Sequence, residues 1–82
     1  MNIEELRREI DKTDEIIVNA FLRRLSLCRE IGQYKKENSI PVKDESREAE
    51  ILEKLKEMSG GDGAAVTALY EKIFEISRES QS

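Results

Sequence analysis

From Ile3 to Ile31, apolar or small side chains recur at three- and four-residue steps: Ile3, Leu6, Ile10, Thr13, Ile17, Ala20, Leu27 and Ile31. That spacing lays them along one stripe of a helix. No proline interrupts the run, and Gly32 is its one weak helix former. The pattern therefore predicts a single helix over roughly Ile3 to Asn38, with Asn2 as its N-cap. Acidic residues (Glu4, Glu5, Glu9, Asp11) gather at its start and Lys35 and Lys36 at its end, as the helix dipole favours. Ser39-Ile40-Pro41 ends it, because a residue before proline disfavours the α region.

A second helix is expected from Asp44, as N-cap, to about Met58, with Ile51, Leu52, Leu55 and Met58 on its apolar face. Ser59-Gly60-Gly61-Asp62-Gly63 reads as a helix stop, a turn and a new start, with Asp62 as the next N-cap. The third helix is expected from about Ala64 to the end, with Val66, Leu69, Tyr70, Ile73, Phe74 and Ile76 on its apolar face. No strand signal, internal repeat or low-complexity segment is present. The fold class is all-α: residues 1–82 form one domain of three helices with a very long first helix.

Each helix breaks its own apolar pattern with polar groups. In the first, Arg24 and Lys35 stand where the period calls for apolar residues, and at about 100° per residue they point within about 20° of each other. In the second, the stripe continued back by one turn reaches Glu48. In the third, Ser77 and Gln81 close the apolar face. A cation on a face that must be buried needs an anionic partner. Taken together, the five read either as a small polar pocket dominated by positive charge or as a structural polar network. Arg7 adds a geometric condition. It lies 17 residues before Arg24, about 25 Å along the helix axis, so the two cannot touch one small ligand within one chain. With first helices packed antiparallel in a dimer, Arg7 of one chain approaches Arg24 of the other; otherwise Arg7 is a solvated surface arginine.

Composition narrows the choices. In 82 residues, hydrophobic side chains make up 38% and charged ones 39%, with no tryptophan. That is lean for a self-sufficient monomer. A helix of this length spans about 54 Å, whereas a compact domain of this size has a radius of gyration near 12 Å. The first helix must project beyond its own globule, which favours association with a second copy. The net charge of −4 argues against a nucleic-acid or anionic-membrane surface, so any anion is held by a local cluster. With no histidine and a single cysteine, Ser/His/Asp and Cys/His nucleophiles and ordinary zinc sites are excluded. Cys28, beside the stripe, reads as a buried small hydrophobe. A lone thiol and the lack of a leader or membrane-length apolar run make the expected location cytoplasmic.

The blocks that carry these residues resemble the all-helical chorismate mutases, the AroQ class, over nearly the whole chain. Leu6-Arg7, Ile10-Asp11 and Asp14 match the family's opening. Arg24, followed eleven residues later by Lys35 after Ile31-Gly32, matches its second block. Pro41, Val42, Asp44, Arg47 and Glu48 match its third, and Ser77 and Gln81 its end. The resemblance implies an intertwined homodimer that rearranges chorismate to prephenate, on the branch toward phenylalanine and tyrosine. It implies that Arg24 binds one substrate carboxylate and that Arg7 of the other subunit binds the second. Lys35 would contact a carboxylate and the ether oxygen, and Gln81 the ether oxygen. Glu48 and the backbone N–H at Asp44 would hold the ring hydroxyl, Ser77 would assist at a carboxylate, and Arg47 would be secondary. No metal or cofactor is implied, because a pericyclic rearrangement within one molecule needs neither. Orientation of the substrate and a donor at the developing oxyanion suffice.

The chain departs from the family's pattern in three places. Arg23-Arg24 is followed by Leu25, and periodicity selects Arg24. Gln81 is penultimate, at the end of a last turn prone to fraying. The chain also stops there, so no regulatory extension is expected. An isochorismate-pyruvate lyase on the same fold, and a non-catalytic helical dimerisation module, stay open as alternatives.

Overall fold

The computed structural model describes all of residues 1–82 and is entirely helical. Helix α1 runs Ile3–Glu37, α2 Glu45–Ser59 and α3 Gly63–Gln81, with a 3-10 turn, Gly60–Asp62, joining the last two. Asn2 caps α1 as expected, its side chain accepting from the Glu5 N–H at 2.8 Å. Asp44 caps α2 in the same way, accepting from the Arg47 N–H at 3.0 Å. Two backbone details make the connections. Ser39 adopts the left-handed region (φ 55°) just past α1, and the Ile40 N–H returns to the Lys35 carbonyl at 2.8 Å. Gly60 has φ 55° at the end of α2.

The third helix starts within a residue of the expected place, with Asp62 at the N-cap position. It begins at Gly63, but the Asp62 side chain makes no capping hydrogen bond. The 3-10 turn carries the chain from α2 straight into α3, so no extended N-cap residue is needed.

Helix α3 packs against both α1 and α2, while α1 and α2 do not pack on each other. The α1 residues that α3 meets advance with it: Tyr70 lies beside Arg24, Ser77 bonds Arg24 and Gln81 bonds Lys35. The two helices therefore run in the same direction. A trough is left between α1 and α2, floored by α3.

Very little apolar surface is buried: Cys28 and Phe74 are the buried hydrophobic residues, with Gly32 and Ser77 beside them. The thiol of Cys28 packs as a small core residue. Met58 and Leu69, assigned by periodicity to apolar faces, are 73% and 57% exposed. Each lies at the margin of its stripe, where the packing of this chain leaves it open. The N-terminal half of α1 extends past the other helices, leaving Ile3, Ile10 and Ile17 62, 57 and 57% exposed. The radius of gyration is accordingly 15.7 Å and the longest dimension 54 Å. No helix is long and apolar enough to cross a membrane.

At Gly60, an alanine would force a β-carbon into the left-handed region. Gly60→Ala should lower the unfolding free energy by roughly 1–2 kcal/mol. Gly61→Ala, whose β-carbon meets nothing within 4 Å, should leave it nearly unchanged. Urea melts at one fixed protein concentration compare the two.

Candidate active site

The trough between α1 and α2 holds a cavity of about 380 Å³. Arg24 and Lys35 reach it from α1, Asp44, Arg47 and Glu48 from the start of α2, and Ser77, Arg78 and Gln81 from the last turns of α3. Six of the residues singled out by the broken apolar pattern or the family blocks, Arg24, Lys35, Asp44, Glu48, Ser77 and Gln81, thus share one wall or another of a single cavity. Arg7 does not. It sits exposed on the projecting half of α1.

Arg24 is half-buried and braced from several sides. Its Nη1 donates to the Ser77 hydroxyl, and Cys28 Sγ lies 3.6 Å away. Its guanidinium carbon stands 5.8 Å from the Tyr70 ring and 5.9 Å from the Phe74 ring, within cation–π range. Ser77, almost fully buried, donates its own proton to the Ile73 carbonyl at 2.6 Å. Its oxygen is thereby turned to accept from Arg24, so the serine orients the arginine.

Lys35 is half-buried too. Its Nζ donates to the Val42 carbonyl at 2.8 Å and to Gln81 Oε1 at 3.0 Å. Those bonds leave one ammonium proton and the Gln81 amide nitrogen without a protein partner. Every partner of Arg24 and Lys35 is neutral, and no carboxylate lies within ion-pair distance of either. Of the other charged residues of the cavity, three are paired, and Asp44 makes no ion pair but caps its own helix. Arg78 holds Glu48 at 2.7 Å, and Arg47 is turned outward to Glu50 on the same helix. Arg24 and Lys35 are thus cations of the cavity without an ion-pair partner, in a chain whose net charge is −4.

A backbone contact keeps the third helix in place. A β-carbon at Gly32 would stand 2.6 Å from the Cα of Gln81 and 2.7 Å from its carbonyl oxygen. Only glycine lets α1 and α3 approach this closely. The approach anchors the penultimate residue at an end where a last turn is prone to fray; Gln81 is helical and half-buried.

Two contributors escaped the sequence reading. The Val42 carbonyl belongs to a loop, and main-chain groups carry no residue-type signal. Arg78 sits about 100° from Ser77 around α3, off the stripe, so periodicity passes over it. Its charge, opposite to that of Glu48 and next to two marked residues, was the available clue.

A cavity of this size, with unpaired, half-buried cations and fixed neutral hydrogen-bonding groups, has the size and charge to accept a small polyanion. Residues 6–82 match the family described as chorismate mutase type II, and the chain belongs to that family. It is 40% identical to the bifunctional chorismate mutase/prephenate dehydratase of Aquifex aeolicus, over 88% of this chain and 22% of that protein. It is 35% identical to a 3-dehydroquinate dehydratase of Pyrobaculum aerophilum, over 87% of this chain and 20% of that one. The chain thus spans about a fifth of the length of these curated relatives. Among solved structures it is similar to a conserved hypothetical protein from Pyrococcus furiosus, with a TM-score of 0.77 and 34% identity, covering 98% of this chain and 95% of that one.

Because Gly32 abuts backbone rather than a flexible side chain, Gly32→Ala should destabilise the protein by roughly 1–3 kcal/mol through overpacking. Gln33→Ala, one residue along and exposed, should not. Thermal melts of the two variants test the contact.

Proposed function

We propose that this chain is a chorismate mutase acting as a homodimer, with residues 1–82 as its catalytic domain. The observation that carries the reading is the pair of half-buried cations, Arg24 and Lys35, facing one cavity with no protein carboxylate between them. A dianionic substrate supplies the missing partners.

The reaction breaks an ether C–O bond and forms a C–C bond within one molecule, so no nucleophile, metal or cofactor takes part. Arg24 binds one substrate carboxylate. Arg7, donated by the second copy, binds the other and closes the ligand into the folded conformer in which its reacting ends meet. The free ammonium proton of Lys35 and the Gln81 amide donate to the ether oxygen, where negative charge grows as the bond breaks. Their geometry is set before substrate arrives, since Lys35 is tethered to Val42 and Gln81. Glu48 accepts from the ring hydroxyl, aided by the backbone N–H at Asp44. Ser77 acts at the carboxylate through Arg24, and Arg47 has an outer, secondary part.

The dimer follows from the same economy of surface. An apolar groove lined by Ile17, Val18, Phe21, Leu69, Tyr70 and Ile73 runs on from the exposed stripe of α1. Two first helices packed antiparallel in an intertwined dimer cover that stripe and bring each Arg7 the roughly 25 Å needed to reach the partner's cavity. The compartment we infer is the cytoplasm.

Loss of chorismate absorbance on adding the purified protein, with prephenate as product, tests the activity. Pyruvate release from isochorismate would mark a related lyase instead. Lys35→Ala should lower kcat by roughly 100-fold or more while the sedimentation behaviour of the dimer stays the same. Equal losses in turnover and assembly would make Lys35 structural. Mixing Arg7→Ala with Arg24→Ala chains should restore activity, because half of the sites in a heterodimer then lack neither residue. Failure to restore it, with subunit exchange verified, would refute the shared site.

A further inference from the structure

One contact across the cavity joins two helices that the broken apolar pattern treats separately. Arg78 on α3 places a single nitrogen, Nη1, 2.9 Å from Oε1 and 2.7 Å from Oε2 of Glu48 on α2. The side chains are 32% and 23% exposed, and both line the cavity that Arg24 and Lys35 enter. Glu48 makes no other side-chain hydrogen bond. The other cavity carboxylate, Asp44, is held at its helix end, where it accepts from the Arg47 backbone N–H.

A carboxylate on the wall of a site for a doubly negative molecule creates a conflict. Unpaired, it would repel the substrate and offset the attraction of Arg24 and Lys35. It would also be free to swing toward Lys35 and occupy the ammonium proton needed at the ether oxygen. Arg78 removes both problems. It neutralises Glu48 and straddles the two oxygens, which fixes the carboxylate plane while leaving lone pairs to accept from a hydroxyl.

Resting on the reading of this cavity as a dianion site, we propose that Arg78 is a positioning residue: it acts through Glu48, tying that carboxylate to α3 so that the cavity stays electropositive and Glu48 remains an acceptor. This assigns a task to a residue that neither the stripe pattern nor the family blocks single out.

The test is a double-mutant cycle on the full chain, with Arg78→Met, Arg78→Lys, Glu48→Gln and the Arg78→Met/Glu48→Gln pair, each checked for a cooperative melt. Arg78→Met should raise KM for chorismate about tenfold, by exposing an unpaired carboxylate, and change kcat by less than about threefold. Arg78→Lys should recover most of the lost KM. Adding Glu48→Gln to Arg78→Met should lower KM again, the reverse of its effect in the wild-type background. If Arg78→Met does not fold, the lysine variant and the double variant still carry the comparison, since each keeps or dispenses with the charge pair. With an active wild-type enzyme, an unchanged KM or strictly additive effects overturn the inference and leave the proposed activity standing. A wild-type protein that neither consumes chorismate nor is stabilised against heat by a bicyclic dicarboxylate mimic of the transition state overturns the underlying reading, and this inference with it.

Discussion

Arg24 and Lys35 are held half out of water by neutral groups alone, and the site's chemistry follows from that constraint. A partly desolvated cation is stabilised by an adjacent carboxylate, and proteins usually supply one. Here the hydroxyl of Ser77, the Val42 carbonyl and the Gln81 amide oxygen satisfy the hydrogen-bonding geometry without cancelling the charge. The two side chains are therefore fixed in direction while their attraction for an anion is unspent. Of the nearby carboxylates, Glu48 is paired with Arg78, Glu50 with Arg47, and Asp44 caps its own helix. Electrostatic preorganisation of this kind suits a reaction whose transition state differs from its ground state mainly in folding and in charge at one oxygen.

The packing exists to place those partners. Because α3 lies against both neighbours and α1 and α2 do not meet, a trough forms whose floor is the last turns of α3. Its depth depends on Gly32, where the absence of a side chain brings the backbone of Gln81 within van der Waals reach of α1. A C-terminal turn that would otherwise fray is thereby seated, and its amide meets Lys35. The cost is a thin interior. With Cys28 and Phe74 as the buried hydrophobic residues, a single chain covers too little apolar surface to stand alone comfortably. The exposed stripe of α1 is the natural counterpart of that deficit, and a site completed across a twofold axis would tie assembly to activity.

Much of this was legible in the one-dimensional pattern. Three helices, an over-long first one, caps at Asn2 and Asp44 and a burial role for Cys28 all follow from period, capping chemistry and side-chain type, which are local properties. Arg24, Lys35, Glu48, Ser77 and Gln81 were visible as exceptions to amphipathic order, since a polar residue on a buried face stands out against its neighbours. Met58 and Leu69 misled for the complementary reason: a stripe states which face is apolar but not how far a neighbouring helix extends over it.

What the chain alone determined, then, is which residues are helical and which of them are out of keeping with their face, because both depend on spacing within about one or two helical turns. Only the tertiary structure decided that Arg78 meets Glu48, that a loop carbonyl at Val42 holds Lys35, and that Gly32 is a contact point rather than a weak link in a helix. Those facts depend on groups thirty or more residues apart, or on main-chain atoms, converging through the way α3 lies between its two neighbours. No local periodicity records that arrangement.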